Sequence, residues 1–456
     1  MTNSTLERFQ IIGLHGCRFV DVTIRDNTLI LVGENGSGKT TFLRILFHFL
    51  SGRWLPLVQF RFDSIVATIG GIEYKVSHEE LVKAFKGIDR RFLAEIPLPL
   101  RRRVMELIER GELEKAGIEL ERMGGRYGVS PDVFLRQLEF FGETPRGPKK
   151  ELQETITKIR EAIQAQVLYL PTYRRIEREL SSIFEDVDPD DFRRNRTRLR
   201  QQESTESYIE FVEFGMKDVQ NAVDRTLERL KEFARENLNN LTLRYLGDVV
   251  NREYQNVGMN EIADVSEQTV REVLDRIHES ILNKNHKDHL FGVINSARSA
   301  DNPTEHERII YHYFLKLLRF QQSLQEKERQ MSAFCALCSE YIVDKTFVYD
   351  SQTFSFSIVP AENPQSERSI TLSDLSSGEK QIVSLFSHLY LSGQQNFFVL
   401  IDEPELSLSV PWQRRFLIDI HEGCFTKGLV AVTHSPFIYD NSLNKYAHSL
   451  GEFVNL

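Results

Sequence analysis

The chain has few cysteines, no long apolar run and no excess of positive charge. Four cysteines in 456 residues exclude a disulfide framework as the main source of stability. No apolar run approaches the roughly 20 residues of a membrane-spanning helix, and the start, MTNSTLERFQ, lacks the basic and apolar regions of a signal peptide. We therefore expect a cytoplasmic location and no membrane partner. The net charge of −9 argues against a surface that coats nucleic acid, although a local basic groove is compatible with it.

Apolar residues make up 41% of the sequence and charged residues 27%, the balance of a globular protein with a large core. Changes in pattern divide the chain into five segments. Residues 1–76 are rich in short strands with one helix, and residues 77–165 are charged and helical. Residues 166–180 open with a buried strand over Gln166–Leu170, residues 181–345 are helical again, and residues 346–456 alternate strands and helices.

The second helical segment carries two apolar series at three- and four-residue spacing. The first series comprises Ile209, Val212, Met216, Val219, Val223, Leu227 and Leu230. The second lies in a helix predicted from Thr304 to about Tyr341. Apolar seams of this kind predict an antiparallel arm with its tip within 245–303 and helices about 50 Å long, at about 1.5 Å per residue. A helical bundle accounts for the less regular positions equally well.

The segment Gly33–Thr40, GENGSGKT, matches the phosphate-binding pattern G-x-x-x-x-G-K-[ST]. It follows the apolar strand Thr28–Val32 and opens a helix near Thr41. Phosphate binding requires this placement between a strand and a helix, whereas a glycine-rich turn that arose by chance would not need it. The glycines let backbone N–H groups curl around the phosphates of ATP, while Lys39 should reach the β- and γ-phosphates and Thr40 should ligate Mg²⁺. The residues predicted to contact nucleotide are Gly33, Glu34, Asn35, Gly36, Ser37, Gly38, Lys39, Thr40 and Thr41.

Three further segments carry chemistry. The apolar strand Phe397–Ile401 ends in Asp402 and Glu403, where a rigidly held Asp402 can bind Mg²⁺ and Glu403 can activate the attacking water as general base. Leu375–Gln381, LSSGEKQ, is a Ser-Gly turn that opens a helix and offers hydroxyl and N–H groups to an anion, although an ordinary helix cap has the same pattern. His434 ends a later strand, a position suited to sensing the γ-phosphate during catalysis.

The order of these four motifs resembles that of the ABC ATPase superfamily: Walker A, signature, Walker B with its glutamate, and switch histidine. The resemblance implies an α/β head, formed by a mixed sheet with the P-loop and an antiparallel β subdomain, with an inserted helical or short coiled-coil arm. It also implies a head-to-tail dimer that holds two ATP molecules. The signature of one copy would then cap ATP on the Walker A of the other through Ser376, Ser377, Gly378 and Glu379.

Details of the motifs resemble the SMC and OLD-like branch of that superfamily. Ser377 stands where transporters have glycine. The PELSL segment after Walker B resembles the PELHLH segment of that branch, which makes Ser407 a candidate D-loop residue. Gln59 lies where a Q-loop glutamine would bind the metal. The insertion between Lys39 and Leu375 is far longer than in transporter ATPases, which disfavours that class.

Leu170–Glu177, LPTYRRIE, resembles a segment of the OLD-like ATPases of bacterial defence systems. Its arginines, Arg174 and Arg175, could contact nucleotide, a neighbouring subunit or DNA phosphate, and ion pairs with local acids explain them equally well. Only Phe437–Leu456 follow the switch region, too few residues for the TOPRIM domain of OLD nucleases, so we expect any nuclease effector to be a separate protein. This layout resembles the AriA family of the PARIS anti-phage system and, next, the PtuA family of Septu.

Resemblance to the AriA family implies a homohexamer that holds a TOPRIM nuclease, AriB, inactive until a phage-encoded trigger protein is sensed. The released nuclease would then cleave tRNA and halt growth. A PtuA-like ATPase would instead partner an HNH nuclease. The alternative class is a genome-maintenance ATPase, similar to RecF or SMC, that binds DNA directly.

Two other clusters have competing explanations. Cys335 and Cys338 form a C-x-x-C pair, which suggests a zinc site, but they continue the apolar phase from Met331 and so favour buried, reduced thiols. Arg193–Arg200 is the densest basic cluster and follows the acidic stretch 185–191. A loop that pairs with its own acids is the simpler interpretation, and contact with an acidic partner or nucleic acid is the other.

Overall fold

The computed structural model of the protein describes residues 5–34, 36–58, 60–84, 148–171, 208–210, 216–256, 265–277, 282–299, 304–362, 370–393 and 396–455. The chain forms two compact units. Met1–Val212 and Gln395–Leu456 make up the first unit, which contains the P-loop and Walker B. Glu213–Gln394 make up the second unit, which contains the signature.

The described strands and helices are numbered here in chain order. The strands are β1 (Leu6–Leu14), β2 (Arg18–Thr23), β3 (Thr28–Val32), β4 (Ser64–Ile69), β5 (Ile72–Ser77), β6 (Gln166–Leu170), β7 (Tyr208–Glu210), β8 (Lys345–Asp350), β9 (Ser355–Pro360), β10 (Phe397–Asp402), β11 (Thr426–Thr433), β12 (Ala447–Ser449) and β13 (Val454–Asn455). The helices are α1 (Lys39–Ser51), α2 (Trp54–Leu57), α3 (His78–Ala84), α4 (Pro148–Ile163), α5 (Met216–Val250), α6 (Glu267–Asp275), α7 (Lys284–Ser299), α8 (Glu305–Tyr341), α9 (Ser377–Leu391) and α10 (Val410–His421).

Two sheets form the first unit. One has the order β12-β3-β11-β10-β6-β7, and the other has the order β13-β2-β1-β4-β5. The first was predicted to be mixed, but all pairs among its described strands are parallel. Asp402 pairs with Val432, and Thr433 pairs with Val32. The parallel sheet therefore brings the ends of β3, β10 and β11 to one edge, where the P-loop, Walker B and the switch segment (residues 433–435) lie.

Helix α1 is apolar on most of its surface because it packs between the two sheets. Phe9 of β1 meets Phe42 and Phe49 edge-on, with ring centroids 5.6 Å apart in both pairs. On the other side, Phe47 stacks on Tyr169 of β6 at 4.8 Å. Edge-on and offset stacked rings add to the free energy gained by burying their apolar area. This packing fixes the first turn of α1 at the sheet edge that carries the acids.

Two long antiparallel helices, α5 and α8, form the frame of the second unit. Near the end of α5, Asp248 accepts a hydrogen bond from His312 Nε2 at 2.9 Å and pairs with Lys316 of α8. The ring of Tyr245 lies 4.7 Å from the ring of Tyr313. At about 1.5 Å per residue the two helices are about 50–55 Å long, as the spacing of their apolar residues predicts.

The segment between these helices forms a small bundle with α8. Its apolar core comprises Val270, Val273, Leu274, Ile294, Tyr311, Phe314, Leu315, Leu317 and Leu318. The antiparallel pair and the helical bundle, the two interpretations that the sequence left open, are therefore both present. The predicted seam was wrong at Ile209, which lies in β7 beside β6, while α5 begins at Met216. A three-residue strand whose apolar phase continues that of the next helix cannot be distinguished from it by periodicity.

The predicted fold class, an α/β head with an antiparallel β subdomain and an inserted helical arm, is confirmed. The predicted boundary at residue 346 differs from the observed one. The hairpin β8–β9 and helix α9 belong to the second unit, so the predicted segment 346–456 is divided near Gln394. In the part of the chain that is described, no helix is long and apolar enough to cross a membrane.

The two cysteines of the C-x-x-C pair are buried on α8. Burial raises the pKa of the Cys335 thiol to about 12 and the pKa of Cys338 well above its usual value. Cys17 and Cys424 are exposed, and all four are free thiols. No group of three His, Cys, Asp or Glu residues suited to a metal occurs within the described ranges. The burial of Cys335 and Cys338 is what the apolar phase of the sequence predicts for reduced thiols.

Candidate nucleotide site

The P-loop curls back over its own lysine. Gly33, Gly36 and Gly38 have φ angles of 139°, 81° and 99°, a region that glycine enters without strain. Lys39 Nζ donates hydrogen bonds to the carbonyl oxygens of Gly33 and Glu34, both at 2.8 Å, and to Ser37 Oγ at 3.1 Å. The ammonium group therefore lies inside the curl, at the N-terminus of α1, where the helix dipole also favours an anion.

Burial and nearby negative charges have opposite effects on the pKa of Lys39. Only 4% of the residue is exposed, and burial lowers the pKa of its ammonium group. The carboxylates of Glu403, Asp402 and Glu405 oppose that shift. A cation with three acidic neighbours stays charged, which is the state that contact with phosphate requires.

Walker A and Walker B meet at the first turn of α1. Thr40 Oγ1 donates a hydrogen bond to Asp402 Oδ1 at 3.1 Å. Asp402 ends β10 with only 4% of its surface exposed, so the strand holds its carboxylate firmly. A hydroxyl and a carboxylate are the oxygen donors that Mg²⁺ takes in phosphoryl-transfer sites, so the residues fit that ion.

Glu403 follows Asp402 in a backbone conformation that is rare for a non-glycine residue. Its φ angle is 54°, and its N–H donates to the carbonyl oxygen of Val432 at 2.8 Å. Burial raises the pKa of its carboxyl group, as do the charges of Asp402 and Glu405, against the opposing effect of His434 and Lys39. A raised carboxyl pKa makes a stronger general base, and left-handed strain at one residue is typical of functional sites.

His434 lies exposed just beyond β11 and is held through its backbone. Its N–H donates to Glu405 Oε1 at 2.7 Å, and the Thr433 hydroxyl donates to Glu405 Oε2, also at 2.7 Å. Glu405 was not among the residues predicted to belong to the site. Its only signal was its place two residues after Glu403, in the PELSL segment.

The signature forms the first turn of α9 in the second unit. Ser376 is the N-cap, and Glu379 accepts a hydrogen bond from the Ser376 N–H at 2.6 Å in a capping box. The second oxygen of Glu379 accepts a hydrogen bond from Lys345 Nζ at 2.9 Å. Ser376 and Ser377 are exposed, and the Ser376 hydroxyl oxygen accepts the Glu379 N–H as the cap, while Gly378 is half-buried.

The remaining predicted residues divide into two groups. Thr41 lies half-buried in α1, and Ser407 is exposed with φ 65° in the loop after Walker B. The others lie outside the described residues: Asn35, Gln59, Arg174, Arg175 and the cluster Arg193–Arg200.

The chain matches the sequence model of one known protein family. The family described as AAA ATPase domain, AAA_15, matches residues 6–439. The chain belongs to this AAA ATPase domain family. ATP binding and hydrolysis follow from that membership, and the predicted enzyme class, ATPase, is confirmed. The matched range includes the P-loop, the signature, Walker B and His434.

Other comparisons are less close. No curated protein sequence matches this AAA ATPase domain chain. Among solved structures, the Smc head domain of Pyrococcus furiosus, with an extended coiled coil and bound to the C-terminal domain of ScpA, shares 12% sequence identity. The match covers 96% of this chain and 92% of that one, with a TM-score of 0.35, a likeness too low to bear on function.

Proposed function

We propose that the chain hydrolyses ATP at sites shared by two head-to-tail copies, and that turnover controls a separate nuclease effector. The observation that carries the first part is the 3.1 Å hydrogen bond between Thr40 and Asp402, beside the Lys39 ammonium group. It joins Thr40 of the P-loop to Asp402, 362 positions later in the sequence, and so supports a common site for the phosphates and the metal. Bound Mg²⁺ would supply charge neutralisation to the phosphates of the substrate.

The other roles in hydrolysis are assigned to residues of this chain. The P-loop N–H groups and Lys39 bind and orient the phosphates, and Thr40 and Asp402 provide oxygens for the ion. Glu403, with its raised carboxyl pKa, takes the proton of the attacking water. His434, exposed at the same sheet edge, contacts the γ-phosphate. This assignment is tested by Glu403→Gln, for which we expect ATP binding at least as tight as in wild type and loss of turnover; loss of binding would contradict it.

The head-to-tail arrangement rests on the signature. Its exposed hydroxyls lie on a helix N-terminus, which is suited to an anion, but they belong to the unit that does not contain the P-loop. We propose that Ser376, Ser377 and Gly378 of a second copy complete each site. Larger assemblies, including a hexamer, would be built from such pairs.

A mixing experiment tests the shared site. Glu403→Gln removes the proposed base, and Ser377→Arg adds a bulky cation at an exposed position without changing the Ser376 cap. Each variant alone should be inactive. In a mixed pair, the intact Walker motifs of the Ser377→Arg chain face the intact signature of the Glu403→Gln chain, so turnover should return. Mixtures that stay inactive at every ratio would contradict the arrangement.

The proposed effector is a TOPRIM nuclease, released when a phage-encoded trigger binds. Support comes from the LPTYRRIE segment, the PELSL segment and the inserted antiparallel helices, which together resemble the OLD-like defence ATPases. The test is co-expression with neighbouring genes, followed by purification of the wild-type chain and of Glu403→Gln. We expect a nuclease to copurify; its absence from both preparations would reject the proposal. Strong, salt-sensitive stimulation of turnover by DNA would favour a genome-maintenance ATPase instead.

A further inference from the structure

The loop after Walker B, residues 404–409, is tied to the switch segment by two side chains. We infer that Glu405 is a positioning residue that sets the place of His434, so that the loop 404–409 and His434 move together. Gln413 on α10 reinforces this link. The inference deepens the proposed function, since it rests on the assignment of His434 to the γ-phosphate.

Glu405 holds two consecutive residues of the switch segment. Each of its carboxylate oxygens accepts one hydrogen bond of 2.7 Å, one from the His434 N–H and one from the Thr433 hydroxyl. Thr433 is fully buried. Its hydroxyl oxygen also accepts a hydrogen bond from the Ser435 N–H at 3.0 Å. The carboxylate therefore fixes the backbone on both sides of the histidine.

Gln413 makes a second connection between the same two segments. Its amide nitrogen donates to the carbonyl oxygen of Leu408 at 2.9 Å and to that of Glu405 at 3.4 Å. Its amide oxygen accepts from the Ser435 hydroxyl at 2.6 Å. The side chain thus contacts the loop through one end and the switch segment through the other.

These bonds have a mechanical consequence. Hydrogen bonds to a charged acceptor are stronger than neutral ones, and Glu405 makes two within one carboxylate. The same loop carries the exposed residue Ser407 with φ 65°. A displacement of the loop, such as contact with a second copy would cause, must therefore move the His434 backbone or break both bonds.

Two substitutions separate the geometry of Glu405 from its charge. Glu405→Asp keeps the negative charge but is one methylene shorter, so it cannot reach both donors. Glu405→Gln removes the charge but keeps the length, and its amide oxygen can still accept from the His434 N–H. If Glu405 acts by position, kcat should fall about ten-fold in Glu405→Asp and less in Glu405→Gln. If it acts by charge alone, the order is reversed and the inference is wrong.

The effect must pass through His434, which a double-mutant cycle measures. In a His434→Ala background, Glu405→Asp should cause no further loss of turnover, because the residue it positions is gone. Because Glu405→Asp keeps the negative charge, its affinity for ATP should stay within about two-fold of wild type, so that the loss lies in kcat. Additive losses in the double variant would overturn the inference. Glu422→Gln, an exposed acid that precedes β11 at the opposite edge of the sheet, is the matched control.

Amide hydrogen exchange supplies a readout that does not depend on turnover. In the nucleotide-free protein, the His434 N–H should exchange at least about ten-fold faster in Glu405→Asp than in wild type. Exchange of α1 should not change, which distinguishes local release from unfolding. Unchanged exchange at His434 would overturn the inference. A His434→Ala chain with full turnover would instead reject the proposed role of His434 and leave the exchange result to decide whether Glu405 positions this segment.

Discussion

The bond between Lys345 and the signature acid allows a quantitative test. Lys345 begins β8, and its Nζ donates to Glu379 Oε1 at 2.9 Å and also pairs with Asp344. The Lys345 and Glu379 side chains are only 15% and 11% exposed. Lys345→Met keeps an unbranched apolar stem of similar size but removes the charged ammonium group. Glu379 then retains its bond to the Ser376 N–H and loses its cation.

The expected loss of stability depends on how many partners Glu379 keeps in Lys345→Met. Leaving one member of a fully buried ion pair without its partner costs about 3–5 kcal/mol, whereas a hydrogen bond to a charged group contributes about 1.5–3 kcal/mol. Since Glu379 keeps one strong hydrogen bond, we expect a coupling energy of about 2 kcal/mol between Lys345 and Glu379. The two residues lie within one unit, so the cycle of Lys345→Met, Glu379→Gln and the double variant isolates their interaction.

The directions of the two pKa shifts predict the pH range over which this pair stabilises the fold. Bonds to Lys345 and Ser376 outweigh burial and lower the pKa of Glu379 below its usual 4.5. Its contribution to stability is therefore present above pH 4.5 and is lost as pH falls through the lowered value. Bonds to Glu379 and Asp344 likewise outweigh burial and raise the pKa of Lys345 above 10.5, so its contribution is lost only above that pH. The coupling should be constant between these limits.

Urea unfolding monitored by far-ultraviolet circular dichroism is the suitable assay. Both tryptophans, Trp54 and Trp412, lie in the other unit, so tryptophan fluorescence would not report on this pair. The control is the exposed pair Glu79 and Lys83, joined at 2.6 Å one helical turn apart, for which no coupling should be resolved. A coupling energy near zero for Lys345 and Glu379 at neutral pH would refute the reasoning.

Two further predictions concern packing. Gly52 ends α1 with φ 71°, and a methyl group there would overlap Ile156, so Gly52→Ala should lower the free energy of unfolding by about 2 kcal/mol or more. Gly70→Ala, with φ 59° but open space around it, should lose only the strain of about 1 kcal/mol, and equal losses would contradict the overlap. Cys335 and Cys338 should resist alkylation at pH 8 until the protein unfolds, while the two exposed cysteines react at once; zinc in the purified protein would contradict this assignment.

The sequence predicted best the features that local chemistry determines. The strands over Thr28–Val32 and Gln166–Leu170 have the predicted bounds, because each is an apolar run buried on both faces and ends at a glycine or proline. The P-loop, Walker B and His434 were placed by motifs, and the parallel sheet then brings them to one edge. Contacts between distant segments leave no local sequence pattern. The hydrogen bonds from Thr433 to Glu405 and from Ser435 to Gln413 were therefore not predicted.

The charges around Lys39 lead to a final prediction about metal dependence. Its ammonium group faces three carboxylates, Asp402, Glu403 and Glu405, which gives formal charges of one positive and three negative. Burial weakens the screening of these charges by water. ATP is itself a polyanion, so the site as built repels it unless a divalent cation enters with it. Nucleotide affinity should therefore depend on Mg²⁺ even in a chain that cannot hydrolyse ATP.

Titration of Glu403→Gln with fluorescent ATP, with Mg²⁺ or with EDTA, measures this effect without turnover. We expect the affinity to fall at least about ten-fold in EDTA, which corresponds to about 1.4 kcal/mol. Adding Asp402→Asn should make the fall in ATP affinity caused by EDTA smaller, for two reasons. It weakens binding in Mg²⁺ because it removes a metal ligand, and it strengthens binding in EDTA because it removes one of the repelling charges. The alternative is that Lys39 and the P-loop N–H groups alone set the affinity. In that case EDTA would have no effect, and the Thr40–Asp402 contact would be structural rather than a metal site.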